Sequence, residues 1–207
     1  MSIFGRLSFK DQAFKLREDA ILDAATRTLA AKGFDLMTMD DVAAEVGISK
    51  PSLYKHFKSK EDLVGEVMVR LVDGALEQLE AQPAGLTPAG RLRALLEWAL
   101  RVRLGGGLPF LPSTSPHVRA MLTRNLRYVT RVLKLNKQLE GLVDEARRNG
   151  EFNADLPTDV ILFSYYARSC DPAVEYLQLY SKMDTDAIVE SMLKVCFDGL
   201  CTASGHR

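Results

Sequence analysis

Lys50, Lys55, Lys58 and Lys60 stand close together, and from Val46 to Ser59 no aspartate or glutamate intervenes. Ser49, Ser52, Tyr54 and His56 are interleaved with them. Ammonium groups and hydroxyls without a neighbouring carboxylate suit phosphate binding, because they neutralise a polyanion and donate to its oxygens. Catalysis needs other patterns, and these are absent: the chain has no Gly-rich phosphate loop, no HExxH and no GxSxG. Cys170 beside Asp171, or His117 beside Pro116, forms no catalytic pair of known spacing, so an enzyme is not expected. Cys170, Cys196 and Cys201 show no CxxC or Cys/His pattern, which excludes a metal site of that kind and points to reduced thiols. No cofactor is expected.

Positioning these groups falls to the stretch from Thr38 to Leu63. Thr38 followed by Asp41 is a capping-box-like start, with Asp in place of the usual Glu or Gln. Val42, Ala43 and Val46 give a short helix a small apolar face. Gly47 ends it, since glycine takes the left-handed conformation without steric cost. Ile48 plugs the turn. Ser49 is placed as the next N-cap, with Pro51 in the first turn, where a missing N–H is harmless. Leu53 and Phe57, four apart, face inward. Two helices joined by a short turn containing glycine make a helix-turn-helix, whose second helix enters the major groove. The competing reading is a helical hairpin with a solvated lysine face. Caps, glycine, inward pair and basic window together favour the groove reader.

This segment resembles the DNA-binding domain of TetR-family transcriptional regulators. Ala25, Gly33-Phe34, Thr38, Val42-Ala43, Val46-Gly47-Ile48-Ser49, Leu53-Tyr54-His56-Phe57 and Lys60-Leu63 carry the resemblance, which covers about residues 14 to 65. Matched onto this sequence, the family's DNA contacts fall on Thr38, Ser49, Lys50, Pro51, Ser52, Tyr54, Lys55, His56 and Lys60. Thr38, Tyr54, His56 and Lys60 take the places of phosphate contacts, which set register. Lys50, Pro51, Ser52 and Lys55 take the groove-facing places, where a lysine reads guanine O6 and N7 and a proline lies against a thymine methyl.

The whole chain has 207 residues, 47% hydrophobic, with a formal net charge of zero. The basic character is therefore local, and distribution is the better guide. No apolar run reaches the ~18 residues of a transmembrane helix, and the charged N-terminus is not a signal peptide. A cytoplasmic location is expected. Residues 1 to about 13 read as a frayed arm with Arg6 and Lys10. A first helix, with Phe14, Ile21, Leu22, Ala25, Leu29 and Ala30 at helical spacing, ends at Gly33. Glu61 and Asp62 open a fourth helix with stripe Leu63, Val67, Leu71, Ala75, Leu79. A helix is expected from about Ala89 to Leu104, and one from His117 to Asn149 with a single break. A penultimate helix from near Pro157 is interrupted at Asp171-Pro172, and a last one, capped by Asp184, runs to Leu200. The fold class is all-α, about nine helices. Residues 1–62 form a three-helix head and 63–207 a helical body for effector binding and dimerisation.

The resemblance implies a homodimer on a palindromic operator in double-stranded DNA, with a small-molecule effector in the body and no membrane partner. Apolar and aromatic content points to a hydrophobic or aromatic effector. The alternative is a TetR-like DNA binder controlled by a protein partner. Candidate pocket residues are Trp98, Phe110, Met121, Asn125, Tyr128, Phe163, Tyr166 and Arg168. Arg168 either anchors an acidic ligand or pairs with Asp171, and the internal pair is favoured. Candidate dimer residues in the last helix are Ile188, Met192, Val195, Cys196 and Gly199, unless that face packs inside its own body.

Overall fold

The computed structural model describes residues 8–108 and 116–200. These are helical throughout, with turns and loops between helices and no strand among the described residues. The chain divides into two compact units, Met1–Val67 and Met68–Arg207.

In the first unit α1 spans Phe9–Leu36, α2 Met39–Val46 and α3 Lys50–Leu53, and α4, Lys60–Glu80, begins there. The expected arm is partly helix. Ser8 Oγ accepts from the Asp11 N–H at 3.2 Å, and the Asp11 carboxylate accepts from the Ser8 N–H at 3.3 Å. This reciprocal cap starts the helix at Phe9 rather than Phe14. Arg6 lies outside the described residues, and Lys10 is exposed on the first turn. Burial begins only at Ile21. Gly33, at φ 71° and ψ 172°, breaks α1, and Phe34 and Met37 fold back into the core. Such a φ carries a Cβ penalty that glycine escapes. Ile21, Val42, Leu53 and Leu63 are fully buried and form the centre of the head. Each such side chain contributes roughly 1.5–3 kcal/mol by leaving water.

The second unit is built around α5, Pro88–Leu104, which Thr87 caps by accepting from Gly90 N–H at 3.1 Å. α6 (Pro116–Arg124) and α7 (Leu126–Arg148) are the expected long helix, broken where the Asn125 side chain caps α7. α8 (Thr158–Ser169), α9 (Ala173–Tyr180) and α10 (Thr185–Asp198) complete the body. The break between α8 and α9 falls at Asp171-Pro172, as expected. Proline has no N–H to continue the ladder, and Asp171 accepts from the Ala173 N–H at 3.0 Å. Helix α5 packs on α7, α8, α9 and α10. Leu92, Leu95, Leu96, Ala99 and Leu100 of α5 meet Leu139 and Val143 of α7, Leu162 and Tyr165 of α8, and Ile188 and Val189 of α10 in one core. The Tyr165 hydroxyl stays satisfied there, donating to Leu92 O at 3.0 Å. No described helix is long and apolar enough to cross a membrane.

The last helix uses its apolar face inside the body. Ile188 is 1% and Met192 7% exposed in the single chain, so neither presents area to a partner. Val195 and Cys196 are half-buried and Gly199 is exposed. The exposed apolar ridge lies instead on α8 and α9: Val160, Phe163 and Ala167, then Tyr176, Leu179 and Tyr180.

Candidate nucleic-acid interface and effector cleft

The recognition segment is set by its caps. Thr38 Oγ1 accepts from the Asp41 N–H at 3.1 Å while Asp41 accepts from the Thr38 N–H at 2.9 Å. Gly47 takes φ 75° and ψ 33°, in the left-handed region. Ser49 caps α3, whose helical turn continues through hydrogen bonds from the Tyr54, His56 and Phe57 N–H groups to carbonyls behind them. Leu53, at 0%, and Phe57, at 2% exposed, nail its inner side to the core. That leaves Ser49, Lys50, Pro51, Tyr54 and Lys55 exposed and Ser52 half-exposed on the outer side.

Lys50 pairs with Asp40 at 2.8 Å across open solvent. Asp40 hydrogen-bonds the ammonium and holds its pKa up, so it stays charged. Exposed pairs of this kind contribute little, so a phosphate or base can take Asp40's place. Lys60 is engaged differently. Its ammonium donates to Met37 O at 3.0 Å and stands 4.3 Å from the Phe34 ring centroid, tying the start of α4 to the end of α1. His56 is half-buried, with its ring stacked on Phe14 at 4.1 Å between centroids. Its buried Nδ1 has no partner, and burial lowers its pKa. Phe14, expected on the inner stripe, is 47% exposed and does this work at the surface.

The acidic residues of α2 are held within the head. Glu45 accepts from Arg27 at 2.6 Å and from the Thr28 hydroxyl at 2.9 Å. Asp41 accepts from Lys32 at 2.9 Å, and that bond with the Thr38 cap lowers its pKa to about 2. A depressed carboxylate pKa stabilises above its unfolded value and is lost as pH falls through the folded one. The Asp41 contribution is therefore expected to be complete above about pH 4 and lost towards pH 2. Acid titration of the wild type against Asp41→Asn, by circular dichroism, should show the two curves converge across that window. Parallel curves would exclude the Asp41 charge as a source of pH-dependent stability.

In the body, a cleft of ≈ 290 Å³ opens between α5, α8, α10 and the turn after α7. Leu92, Val143, Phe152, Ile161, Tyr165 and Phe197 give it an apolar lining, with Glu151, Ser164 and Cys196 also present. None of the expected pocket residues lines it. Tyr128 and Tyr166 are core, with Tyr166 donating to Asn136. Asn125 is a cap, Met121 is half-buried, and Trp98 packs by Gly74. Phe163 is 68% exposed. Arg168 pairs with Asp171 at 2.6 Å, as favoured. Phe110 and Cys201 lie outside the described residues. Turn residues such as Phe152 were missed because helical periodicity is silent about loops. Burial pushes the Cys170 and Cys196 thiols up, which keeps them protonated and unreactive.

A capped, glycine-turned helix pair presenting lysine, serine and tyrosine from one face defines a helix-turn-helix DNA-binding protein. Residues 21–67 match the family model described as bacterial regulatory proteins, tetR family. The HTH-type transcriptional repressor KstR2 of Mycolicibacterium smegmatis is 42% identical over 195 residues, covering 92% of this chain and 94% of that one. The chain belongs to the TetR family and is a DNA-binding transcriptional regulator. Its fold is that of AibR, solved in complex with isovaleryl coenzyme A and operator DNA: TM-score 0.64, 22% identity, 87% of this chain and 98% of that one. It is also that of FadR from Bacillus subtilis, solved in complex with stearoyl-CoA: TM-score 0.61, 17% identity, 88% and 99%.

Proposed function

We propose that the protein is a dimeric repressor that leaves a palindromic operator when a hydrophobic acyl-coenzyme A thioester binds its body. The observation that carries this reading is the apolar cleft beside α8 and α10. At ≈ 290 Å³ it lies at the small end of ligand pockets, roomy enough for an acyl group but not for a whole coenzyme A. AibR and FadR, named above with coenzyme A thioesters bound, support the ligand class. The DNA contacts of the reading are Thr38, Ser49, Lys50, Pro51, Ser52, Tyr54, Lys55, His56 and Lys60. Two copies joined through the Val160–Phe163–Ala167 ridge of α8 would be isologous, as a palindrome demands.

Release is a coupling free energy between two sites. Two recognition helices must reach major grooves about 34 Å apart, so a small change in head separation breaks the match. The test is binding of the purified protein to its own upstream DNA at fixed salt, with decanoyl-CoA, isovaleryl-CoA, free coenzyme A and neutral aromatic compounds added in turn. Release by a thioester and not by coenzyme A is the expected result. Release by aromatic compounds alone would replace the ligand class. Specific binding that no compound releases would overturn the effector reading in favour of a protein partner.

A further inference from the structure

The half-buried arginines of the body are almost all engaged, while Arg119, Arg124 and Arg148 lie exposed. Along α5, Arg91 donates to Gln82 and to Leu79 O, Arg101 pairs with Glu97 and Asp186, and Arg103 pairs with Glu175. Arg131 holds Asp73, and Arg168 holds Asp171. Arg93 is different. Among the described residues it has no hydrogen bond and no ion pair, yet it is half-buried. Its guanidinium carbon lies 5.8 Å from the ring centroid of Phe197, which lines the apolar cleft. It is also close enough to the Cys196 thiol, on the same wall, to act on its charge. The carboxylate in the cleft lining, Glu151, has other partners. Glu151 accepts from the Ala89 N–H at 3.1 Å, from Asn149 and from Thr87, so the start of α5 already holds that charge.

We infer that Arg93 is an anion anchor for an amphipathic ligand, taking its carboxylate or phosphate while the apolar tail enters the cleft lined by Phe152, Ile161 and Tyr165. An unpaired guanidinium presents a fork that matches either oxyanion, and beside low-dielectric walls its attraction is less screened than in water. Arginine fits the place better than lysine because its weakly hydrated plane also rests on an aromatic ring. The inference rests on the cleft being the effector site, and it adds that the effector carries negative charge next to its apolar part.

The probes are decanoate, decanoyl-CoA, coenzyme A and 1-decanol, titrated calorimetrically into the full chain and into Arg93→Gln, Arg93→Lys and Ser164→Trp. Ser164 is exposed at the cleft, so tryptophan there obstructs it without disturbing the core. Arg93→Gln should weaken the anionic amphiphile roughly ten- to a hundredfold, leave 1-decanol unchanged, and be partly rescued by lysine. Ser164→Trp should weaken anionic and neutral probes alike. Decanoate binding as tightly as its thioester would identify the anchored group as the carboxylate. Binding of the thioester alone, with competition by coenzyme A, would identify a phosphate. Equal affinities for wild type and Arg93→Gln, or no binding of any probe, would overturn the anchor. So would a change in dimerisation alone, since Arg93 would then be an interface residue. Operator release read in parallel separates the two proposals. Release by the thioester unaffected by Arg93→Gln removes the anchor and keeps the effector. Anchoring without release keeps the anchor and removes the effector.

Discussion

Leu53→Ala is expected to abolish operator binding while the body stays folded. Leu53 is the innermost side chain of the recognition segment and is 0% exposed. Truncating such a leucine leaves a cavity and costs about 2–5 kcal/mol. Small units bury proportionally less surface than large ones, so the head has little reserve to absorb that loss. Four backbone hydrogen bonds run to the carbonyls of Ser49 and Leu53, so losing the packing of Leu53 loosens the turn that orients Lys50, Tyr54 and Lys55. The measurement pairs operator affinity with a two-probe melt, in which helix content and the lone Trp98, in the second unit, are followed separately. An early loss of part of the helix signal with an unshifted Trp98 transition is the expected signature. Wild-type operator affinity in Leu53→Ala would show that the segment is held by something other than this core.

Lys55→Ala and Lys60→Ala are expected to fail in different ways. Lys55 is exposed on the outer side of the recognition segment, and Lys60 sits at the start of α4. A base-reading side chain is worth roughly 1–3 kcal/mol on its own site and little elsewhere, while a phosphate contact weakens all sequences alike and lowers the salt slope by about 1. Lys55→Ala should therefore relax sequence preference, and Lys60→Ala should reduce binding to operator and scrambled DNA together. Because the Lys60 ammonium also bonds to Met37 O and covers Phe34, this variant should melt earlier, with Lys60→Arg restoring charge and part of the packing. Equal losses by both variants on specific and scrambled DNA would remove the division between reader and clamp.

The helix-turn-helix was legible from the residues because everything that sets it is local. A cap needs an oxygen and an N–H three residues apart, as at Thr38 and Asp41 or at Ser49 and Ser52. Gly47 needs only its own φ. Leu53 and Phe57 share a face by period. The break at Asp171-Pro172 and the cap at Asp184 belong to the same class, and both stand where the residues put them. The start of α1 was misplaced even so. The Ser8–Asp11 box is as local as that of Thr38, but no apolar periodicity follows it until Ile21.

Tertiary structure alone decided what each apolar helix meets. Periodicity says that Ile188 and Met192 share a side of α10, and only the fold shows that this side is already covered by the body's own core. Phe14 looked like core and covers His56 from the surface instead. The aromatics Tyr128 and Tyr166 satisfied a pocket description equally well, yet they are packed, and the cleft is formed by Phe152, Ile161 and Phe197 from three separate segments. Arg93 looks like any other arginine in the sequence. Its lack of a partner becomes visible only once Arg91, Arg101 and Arg103 have found theirs. By itself, then, the sequence determined the caps, the turn, the basic window and the family, because these are set by bonds a few residues long. Folding decided the cleft, the place of Arg93 beside it and the exposed ridge of α8, because a helix carries a period but no record of which neighbour will cover it.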